Sequence, residues 1–266
     1  MNITQQFLHA TLDIVHHAGR HLQDFYKKTV TVQTKSDNTP VTEADLFISH
    51  FLTEKLAALT PDIPVLSEEN CNIPLSERSR WRTYWLIDPL DGTQQFLNRT
   101  DQFSVMSCLI KDNQPYFGII HAPMLQKTYY AIKGQGAYLL EKNKLRRLTA
   151  LTGPSSHNIK ITLGSSDPYK ILECVQKPYH PIFLPYGSSS LKAGLLAEGV
   201  ADCYVRLGNT GEWDTAAAEV LLGELNGKIF DTRFQPLTYN QRETLINPHF
   251  VMVNAPLDWK KIFQFN

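Results

Sequence analysis

The sequence predicts a protein that is α+β in its first half and α/β in its second half, and three features of the residue pattern predict it. Apolar residues recur at helical spacing near the N-terminus, short apolar segments follow, and strand-like and helical segments alternate after residue 150. A chain of 266 residues can hold one large domain or two modest ones. We expect an α+β domain over residues 1–150 and an α/β domain over residues 151–266, sharing one cleft.

Two helices are predicted in the N-terminal part of the chain. The first is amphipathic, because apolar residues recur at helical spacing from Phe7 to Phe25. The second begins near Thr42, a residue type that caps helices well, and ends before Pro61. Asp45 then occupies the third helical position, where a carboxylate supports the cap and interacts favourably with the helix dipole.

The remaining elements follow from shorter patterns. Four apolar segments divided by turn residues predict an antiparallel meander at residues 103–110, 116–122, 128–132 and 137–140. In the second half, strand-like segments alternate with helical ones, which is typical of an α/β arrangement. The predicted strands are residues 159–163, 182–186 and 201–206, and the predicted helices are residues 189–198 and 214–225.

Composition and charge argue against several classes of function. The 26 basic side chains balance 26 acidic ones, which argues against a polymeric nucleic-acid partner but allows a local basic pocket for one small anion. The four cysteines form no Cys-x-x-Cys pair, so a reducing compartment is the simplest inference. No segment approaches the roughly 18 apolar residues that span a bilayer, and we expect a cytoplasmic protein without a transmembrane segment.

Residues 85–93 read Trp-Leu-Ile-Asp-Pro-Leu-Asp-Gly-Thr and place two carboxylates three positions apart, directly after an apolar strand-like run. The proline pushes the preceding Asp88 towards extended geometry, and the glycine permits a left-handed turn. Asp88, the Leu90 carbonyl and Asp91 can therefore converge, and oxygen-only ligands suit a hard cation such as Mg²⁺. The same residue types are common in turns, so this motif alone leaves an ordinary strand-to-turn connection equally open.

Three further segments have both a structural and a functional interpretation. Glu68 follows an apolar strand-like run and can complete a cation site, or it can be a solvated surface glutamate. Asp214 lies at a predicted helix start, where it can be a metal ligand or a helix cap. The three serines at residues 188–190 precede a helix carrying Lys192, which suits either phosphate binding or helix capping.

Together these segments resemble the magnesium-dependent, lithium-sensitive phosphatases of the inositol monophosphatase superfamily, over nearly the entire chain. The matching segments are Asp-Asn-Thr-Pro-Val-Thr-Glu-Ala-Asp at residues 37–45, Leu-Ser-Glu-Glu at residues 66–69, residues 85–93, and Trp-Asp-Thr-Ala-Ala at residues 213–217. Ordered acidic motifs in four separate segments rarely arise together by chance. Four shorter segments are most similar to the bacterial 3′(2′),5′-bisphosphate nucleotidases of this superfamily. These are residues 190–192, 197–199, 208–210 and 245–248.

This resemblance implies a fold, an activity and a cofactor. The fold is a layered α-β-α-β-α sandwich, and the cofactor is Mg²⁺, bound as two or three ions. The activity is hydrolysis of the 3′-phosphate of 3′-phosphoadenosine 5′-phosphate, a by-product of sulfate assimilation, to AMP and phosphate. Inositol monophosphatase or another small phosphomonoesterase is the enzyme alternative, and a phospho-ligand sensor is the non-catalytic one. Some relatives are peripheral membrane proteins, so association with the inner face of the cell membrane stays open.

The resemblance also implies a role for each matching residue. The implied Mg²⁺ ligands are Glu68, Asp88, the Leu90 carbonyl, Asp91 and Asp214. The implied catalytic residues are Asp45, Glu68 and Thr93, with Thr93 hydrogen-bonded to Asp45 and helping to deprotonate the attacking water. The implied substrate-binding residues are Glu68, Leu90, Asp91, Gly92, Thr93, Ser189, Ser190, Lys192, Arg206 and Asp214.

The chain departs from the nucleotidase pattern in four places. Gln94 and Gln95 replace a Lys-Glu pair, which changes the local charge. Residues 164–167 replace a Ser-Arg-Ser-His segment, so an Arg and a His are absent there. Ser188 and Asn209 replace a glycine and a proline in loops that face the ligand. All four departures concern the nucleotide contacts and leave the implied metal ligands intact.

Overall fold

Two β-sheets organise the chain in a computed structural model that describes residues 3–34, 40–154, 156–164 and 166–265. The first three residues of the 37–45 motif and Ser165 lie outside these described residues. The helices are α1 (Gln5–Tyr26), α2 (Glu43–Leu59), α3 (Leu75–Arg78), α4 (Thr93–Leu97), α5 (Pro168–Cys174), α6 (Ser189–Ala197) and α7 (Trp213–Gly223), with a 3₁₀ turn at Trp259–Lys261. The strands of the first half are β1 (Val32–Thr34), β2 (Pro40–Thr42), β3 (Val65–Ser67), β4 (Thr83–Asp91), β5 (Ser104–Lys111), β6 (Gln114–Ala122), β7 (Lys127–Ile132), β8 (Gly136–Glu141) and β9 (Lys144–Arg147). Those of the second half are β10 (Asn158–Leu163), β11 (His180–Pro185), β12 (Cys203–Arg206), β13 (Lys228–Asp231) and β14 (Phe250–Val253).

The first sheet has seven strands in the order β3-β4-β5-β6-β7-β8-β9. All neighbours are antiparallel except β3 and β4, which are parallel. The predicted meander is confirmed as β5 to β8. Helices α1 and α2 cover one face of this sheet, and their apolar side chains share a buried cluster with Trp85 and Phe117. The helical spacing of the apolar residues is what lets α1 bury one side against the sheet.

The second sheet has five strands in the order β11-β10-β12-β14-β13. Strands β11, β10 and β12 are parallel, whereas β14 is antiparallel to both of its neighbours. The three predicted strands and the two predicted helices of this half are confirmed to within a few residues. Helix α5 and strands β13 and β14 were not predicted, because each is short and periodicity is weak evidence over four to seven residues.

The helices and sheets stack in five layers. Helices α6 and α7 lie between the two sheets, and their side chains share one core with Met106 of the first sheet and Met252 of the second. A further apolar cluster covers the outer face of the second sheet, with Ile171 of α5 and Trp259 of the C-terminal turn. This arrangement confirms the predicted α-β-α-β-α sandwich.

The two sheets are formed by segments on either side of residue 150, because the last strand of the first sheet ends at Arg147 and the second sheet begins at Asn158. The predicted domain boundary near residue 150 stays a proposal. Helices α6 and α7 share one core with residues of both halves. Within the described part of the chain, no helix is both long enough and apolar enough to cross a bilayer.

Candidate metal centre and active site

The start of helix α2 fixes Asp45. Thr42 is the N-cap, and its hydroxyl accepts hydrogen bonds from the backbone N–H groups of Ala44 and Asp45. In return, Asp45 Oδ2 accepts from Thr42 N at 2.7 Å and from the Thr42 hydroxyl at 2.6 Å. This reciprocal capping box confirms the predicted helix start and the position of Asp45 in its first turn. The carboxylate is buried, and its other oxygen is turned towards Thr93.

The end of strand β4 brings its two aspartates together. The antiparallel register with β5 shifts between Asp88 and Asp91, so the strand bulges at the proline. Asp88 Oδ1 accepts a hydrogen bond from Leu90 N at 3.0 Å, and Gly92 has a left-handed φ of 92°. A residue with a side chain would be strained at that φ, so the turn after Asp91 depends on glycine.

The N-terminus of helix α6 holds Asp91. Asp91 Oδ2 accepts from the Ser190 backbone N–H at 2.8 Å and from the Ser190 hydroxyl at 2.5 Å. The Ser188 hydroxyl also donates to Oδ2, and Ser189 N donates to Oδ1 at 3.2 Å. The carboxylate is thus oriented by the first turn of a helix from the other half of the chain, whose positive dipole end favours its negative charge.

Asp214 lies in the first turn of helix α7, as predicted from the helix start. The N-cap residue is Glu212, whose side chain makes no capping hydrogen bond. Asp214 Oδ2 instead accepts from the backbone N–H of Gly211 at 2.6 Å. This contact fixes one carboxylate oxygen, and the helix brings the whole group beside Asp91.

The aspartates form one acidic cluster. One ligand oxygen from each of Asp88, Asp91 and Asp214 lies within 4.8 Å of the others. Burial raises the pKa of Asp88 well above its usual range, and the neighbouring carboxylates, including Glu68, raise it further. Removal from solvent and the charges of Asp91 and Glu68 also raise the pKa of Asp214. Glu68, at the end of β3, is therefore near this cluster but not part of the compact group of three.

The predicted contact between the two catalytic candidates is present. The Thr93 hydroxyl donates to Asp45 Oδ1 at 3.1 Å, and it also lies 3.3 Å from the Leu90 carbonyl oxygen. Thr93 is the first residue of α4, directly after the left-handed Gly92. The Leu90 carbonyl and the Thr93 hydroxyl are thus side by side at the edge of the acidic cluster.

A cavity of about 300 Å³ opens beside Asp91 and Asp214. Among the predicted substrate-binding residues, it is lined by Asp91, Gly92, Ser189, Lys192, Arg206 and Asp214. The guanidinium of Arg206 donates to the Asn209 carbonyl at 3.0 Å, which holds it near the cavity wall. The cavity lining thus combines two carboxylates with two basic side chains.

Lys192 is a buried cation with defined partners. Its ammonium donates to the Ser188 carbonyl at 2.9 Å and to the Gly187 carbonyl, and it lies 4.9 Å from the centre of the Tyr204 ring. Burial lowers the pKa of Lys192 to about 8 despite the nearby Asp91, whose negative charge raises it. The side chain therefore stays mainly charged at neutral pH and holds the loop before α6.

The departures from the nucleotidase pattern have local structural roles. Gln94 donates to Asn98 Oδ1 at 3.0 Å, and Gln94 and Gln95 line the cavity. Asp167 caps helix α5 by accepting from Tyr169 N at 2.9 Å. Ser188, in place of glycine, caps α6 and adds a hydroxyl donor to Asp91.

Two observations were not evident from the sequence. Gln102 Oε1 accepts a hydrogen bond from Gly187 N at 2.6 Å and so joins the loop after α4 to the loop before α6. No local motif marks Gln102, because its partner is distant in the chain. Ser190 is fully buried and bonded to Ser104 at 2.6 Å as well as to Asp91, so its predicted substrate contact stays a prediction.

The acidic cluster suits a divalent cation. Buried like charges repel one another strongly unless a cation or a proton neutralises them. Among the described residues, none of the three aspartates forms an ion pair with a lysine or arginine. The available ligands are carboxylate and carbonyl oxygens, the type that Mg²⁺ prefers.

Comparisons with known proteins agree with this fold. The model of the inositol monophosphatase family matches residues 4–259. The chain is 56% identical to the 3′(2′),5′-bisphosphate nucleotidase CysQ of Haemophilus influenzae, over 100% of both chains. The crystal structure of CysQ from Bacteroides thetaiotaomicron is 29% identical, with a TM-score of 0.76 over 95% of this chain and 98% of that one.

A more distant structure shares the fold. An IMPase/NADP phosphatase solved with Mg²⁺ and phosphate is 19% identical, with a TM-score of 0.79 over 94% of this chain and 91% of that one. The family match and the acidic cluster together support the use of a divalent metal. This chain belongs to the inositol monophosphatase family.

Proposed function

We propose that this chain is a Mg²⁺-dependent 3′(2′),5′-bisphosphate nucleotidase that converts 3′-phosphoadenosine 5′-phosphate to AMP and phosphate. The observation that carries the proposal is a cavity whose lining combines the carboxylates of Asp91 and Asp214 with the basic side chains of Lys192 and Arg206. Such a cavity suits a small phosphorylated ligand, because its carboxylates can hold cations and its basic side chains can bind phosphate oxygens. The 56% identity to a bisphosphate nucleotidase over the whole chain supports the same substrate class.

Five groups would hold two or three Mg²⁺ ions. They are the carboxylates of Glu68, Asp88, Asp91 and Asp214 and the carbonyl of Leu90. When bound, Mg²⁺ supplies acidity to a coordinated water and stabilises the charge that develops on the leaving ribose oxygen. The hydrogen bonds from Gly211 to Asp214 and from α6 to Asp91 orient these carboxylates before a ligand arrives.

Thr93 and Asp45 would remove the proton of the attacking water. Because the Thr93 hydroxyl donates to Asp45 Oδ1, its lone pairs are directed to accept a hydrogen bond from that water. The proton then passes through Thr93 to Asp45, whose other oxygen stays bonded to Thr42. Glu68 would help to orient the water. No covalent phosphoenzyme is needed.

The phosphoryl oxygens would meet backbone and side-chain donors. The N–H groups of Gly92 and Thr93 lie at the start of α4 and would bind the transferred phosphoryl group. Ser189 and Arg206 line the cavity and would contact the other phosphate, with Lys192 adding positive charge. The reaction would belong to sulfate assimilation, in the cytoplasm or at the inner face of the cell membrane.

A specific observation keeps a second substrate class open. The segment that would carry an Arg and a His in nucleotidases contains Asp167 instead, and this residue caps a helix. An inositol phosphate or another small phosphomonoester would need no such basic contact. The metal-dependent chemistry would be the same for either substrate.

The test is phosphate release from 3′-phosphoadenosine 5′-phosphate and, in parallel, from inositol 1-phosphate. Each is measured with Mg²⁺, with Mg²⁺ plus Li⁺, and with EDTA. We expect a strong, Mg²⁺-dependent and Li⁺-sensitive preference for the nucleotide. Preference for inositol 1-phosphate would keep the mechanism and replace the substrate. Tight nucleotide binding without release under any condition would instead support a phospho-ligand sensor.

A further inference from the structure

The loop that precedes helix α7 is paired with a distant segment of the chain. Gly211 and Ile246 form an isolated antiparallel bridge. On either side of it, Glu212 N donates to the Leu245 carbonyl at 2.9 Å, and Asn247 N donates to the Thr210 carbonyl at 2.8 Å. The segment around Asn247 therefore forms a short backing strand for the loop that leads to Asp214.

The side chain of Asn247 adds two contacts to this pairing. Its Nδ2 donates to the Gly211 carbonyl at 2.6 Å and to the Thr215 hydroxyl at 3.1 Å. The amide orientation is determined chemically, because only the nitrogen can donate to a carbonyl oxygen. Asn247 is 4% exposed, so water does not compete for these bonds.

The two partners of the Asn247 side chain lie on either side of Asp214 in the sequence. Gly211, whose carbonyl bonds Asn247, is also the residue whose N–H holds Asp214 Oδ2 at 2.6 Å. Thr215, the second partner of Asn247, directly follows Asp214 and donates to the Glu212 carbonyl at 3.2 Å. A single buried amide thus ties together the residues on both sides of Asp214.

We propose that Asn247 is a positioning residue that sets the place of the Asp214 carboxylate in the acidic cluster and thereby the affinity for Mg²⁺. The inference rests on the proposed function, because it takes Asp214 as a metal ligand. Groups that orient metal ligands commonly change metal affinity about 10- to 100-fold when they are removed. Asn247 touches neither the substrate cavity nor the other two aspartates in any described contact, so its effect passes through Asp214.

The experiment compares Asn247→Ala with Asn254→Ala in the full chain. Asn254 is a matched control, since it is 2% exposed and its Nδ2 also donates to a backbone carbonyl, that of Ala201, at 2.9 Å. It directly follows β14, whose last residue, Val253, pairs with Cys203 at the end of β12 that is farthest from Arg206. The Mg²⁺ dissociation constant is measured by calorimetry without substrate, and phosphate release is measured as a function of Mg²⁺ concentration.

We expect Asn247→Ala to weaken Mg²⁺ binding about 10- to 100-fold, with turnover largely restored at high Mg²⁺, whereas Asn254→Ala binds Mg²⁺ like the unmodified protein. If Asn247→Ala does not fold, the near-isosteric Asn247→Leu gives the same comparison. Equal Mg²⁺ affinity in the Asn247 variant and the unmodified protein would overturn the inference. Absence of Mg²⁺ binding to the unmodified protein would instead overturn the proposed metal site.

Discussion

A buried or partly buried carboxylate lies at each end of helix α6, but the two carboxylates differ in the charge of their hydrogen-bond donors. At the C-terminal end, Glu198 accepts from Lys127 at 2.7 Å, from the Tyr129 hydroxyl at 2.6 Å and from Arg146 at 3.0 Å. At the N-terminal end, the donors to Asp91 among the described residues are Ser188, Ser189 and Ser190, which are all uncharged. It also has two further aspartates within 4.8 Å.

The difference lies in whether the fold itself neutralises the carboxylate. The charge of Glu198 is matched by two cations of the protein, so the group is complete within the fold. In the part of the chain that the structure describes, the three aspartates have no such ion pair. Burial, together with repulsion from neighbouring carboxylates, raises the pKa of Asp88 and Asp214. Protonation or a cation from solution would relieve this repulsion, and the oxygen ligands of the cluster suit a divalent cation.

The largest expected effect is that of Asp88→Asn. We expect turnover to fall about a hundredfold or more, because a central metal ligand is lost. We also expect the metal-free protein to gain stability, on the order of 1 kcal/mol, because one of the buried like charges is removed. Phosphate release and urea unfolding in EDTA measure the two effects.

The control for this prediction is urea unfolding of both proteins in saturating Mg²⁺. There the unmodified protein should gain stability and the variant should not. Near-normal turnover of the variant, or a loss of stability in EDTA, would show that Asp88 is an ordinary turn residue.

A smaller effect is expected for Glu198→Gln, which should reduce stability and leave turnover unchanged. Its side chain is 13% exposed, and removing the charge leaves Lys127 without its closest partner. We expect a loss of about 1 to 3 kcal/mol in unfolding free energy, with turnover unchanged. Glu141→Gln is the matched control, because Glu141 is 39% exposed and 3.6 Å from the same lysine, and it should cost less than about 1 kcal/mol. A large loss of turnover in Glu198→Gln would remove the distinction between the two ends of α6.

The smallest expected effect concerns a pair of partly buried histidines, His16 and His121. Both rings hydrogen-bond the Thr128 hydroxyl, at 3.0 and 2.9 Å. Burial, with smaller contributions from the neighbouring His16 and Arg20, lowers the pKa of His121 to about 3. The folded protein therefore favours the neutral form of the His121 ring over the protonated form.

The sign of the pH effect follows from this lowered pKa. Below pH 6.5 the unfolded chain takes up a proton at His121 that the folded protein does not, so stability is complete above pH 6.5 and falls towards pH 3. We expect this residue to contribute a loss of about 1 kcal/mol between pH 6.5 and pH 5.5. Urea unfolding of the unmodified protein and of His121→Asn at both pH values isolates the contribution. An identical pH dependence in both proteins would contradict the prediction.

Much of the local structure was predictable because it depends on neighbours in the chain. The Thr42 and Asp45 capping box, the left-handed Gly92 and the helix start before Asp214 each arise within a few residues, so propensity and geometry sufficed. The meander was predicted for the same reason, since its strands are joined by short turns. The short strands β13 and β14 gave no comparable pattern, and the substrate contacts stay predictions.

The sequence by itself determined which residues could hold a cation and at which element ends they stand. Only the tertiary structure decided that Asp214 joins Asp88 and Asp91, that the Ser188–Ser190 turn holds Asp91, and that Asn247 fixes the loop before α7. These contacts join residues far apart in the chain, and no local rule specifies such partners. They form because burying the faces of α6 and α7 between two sheets brings the ends of those helices to one place.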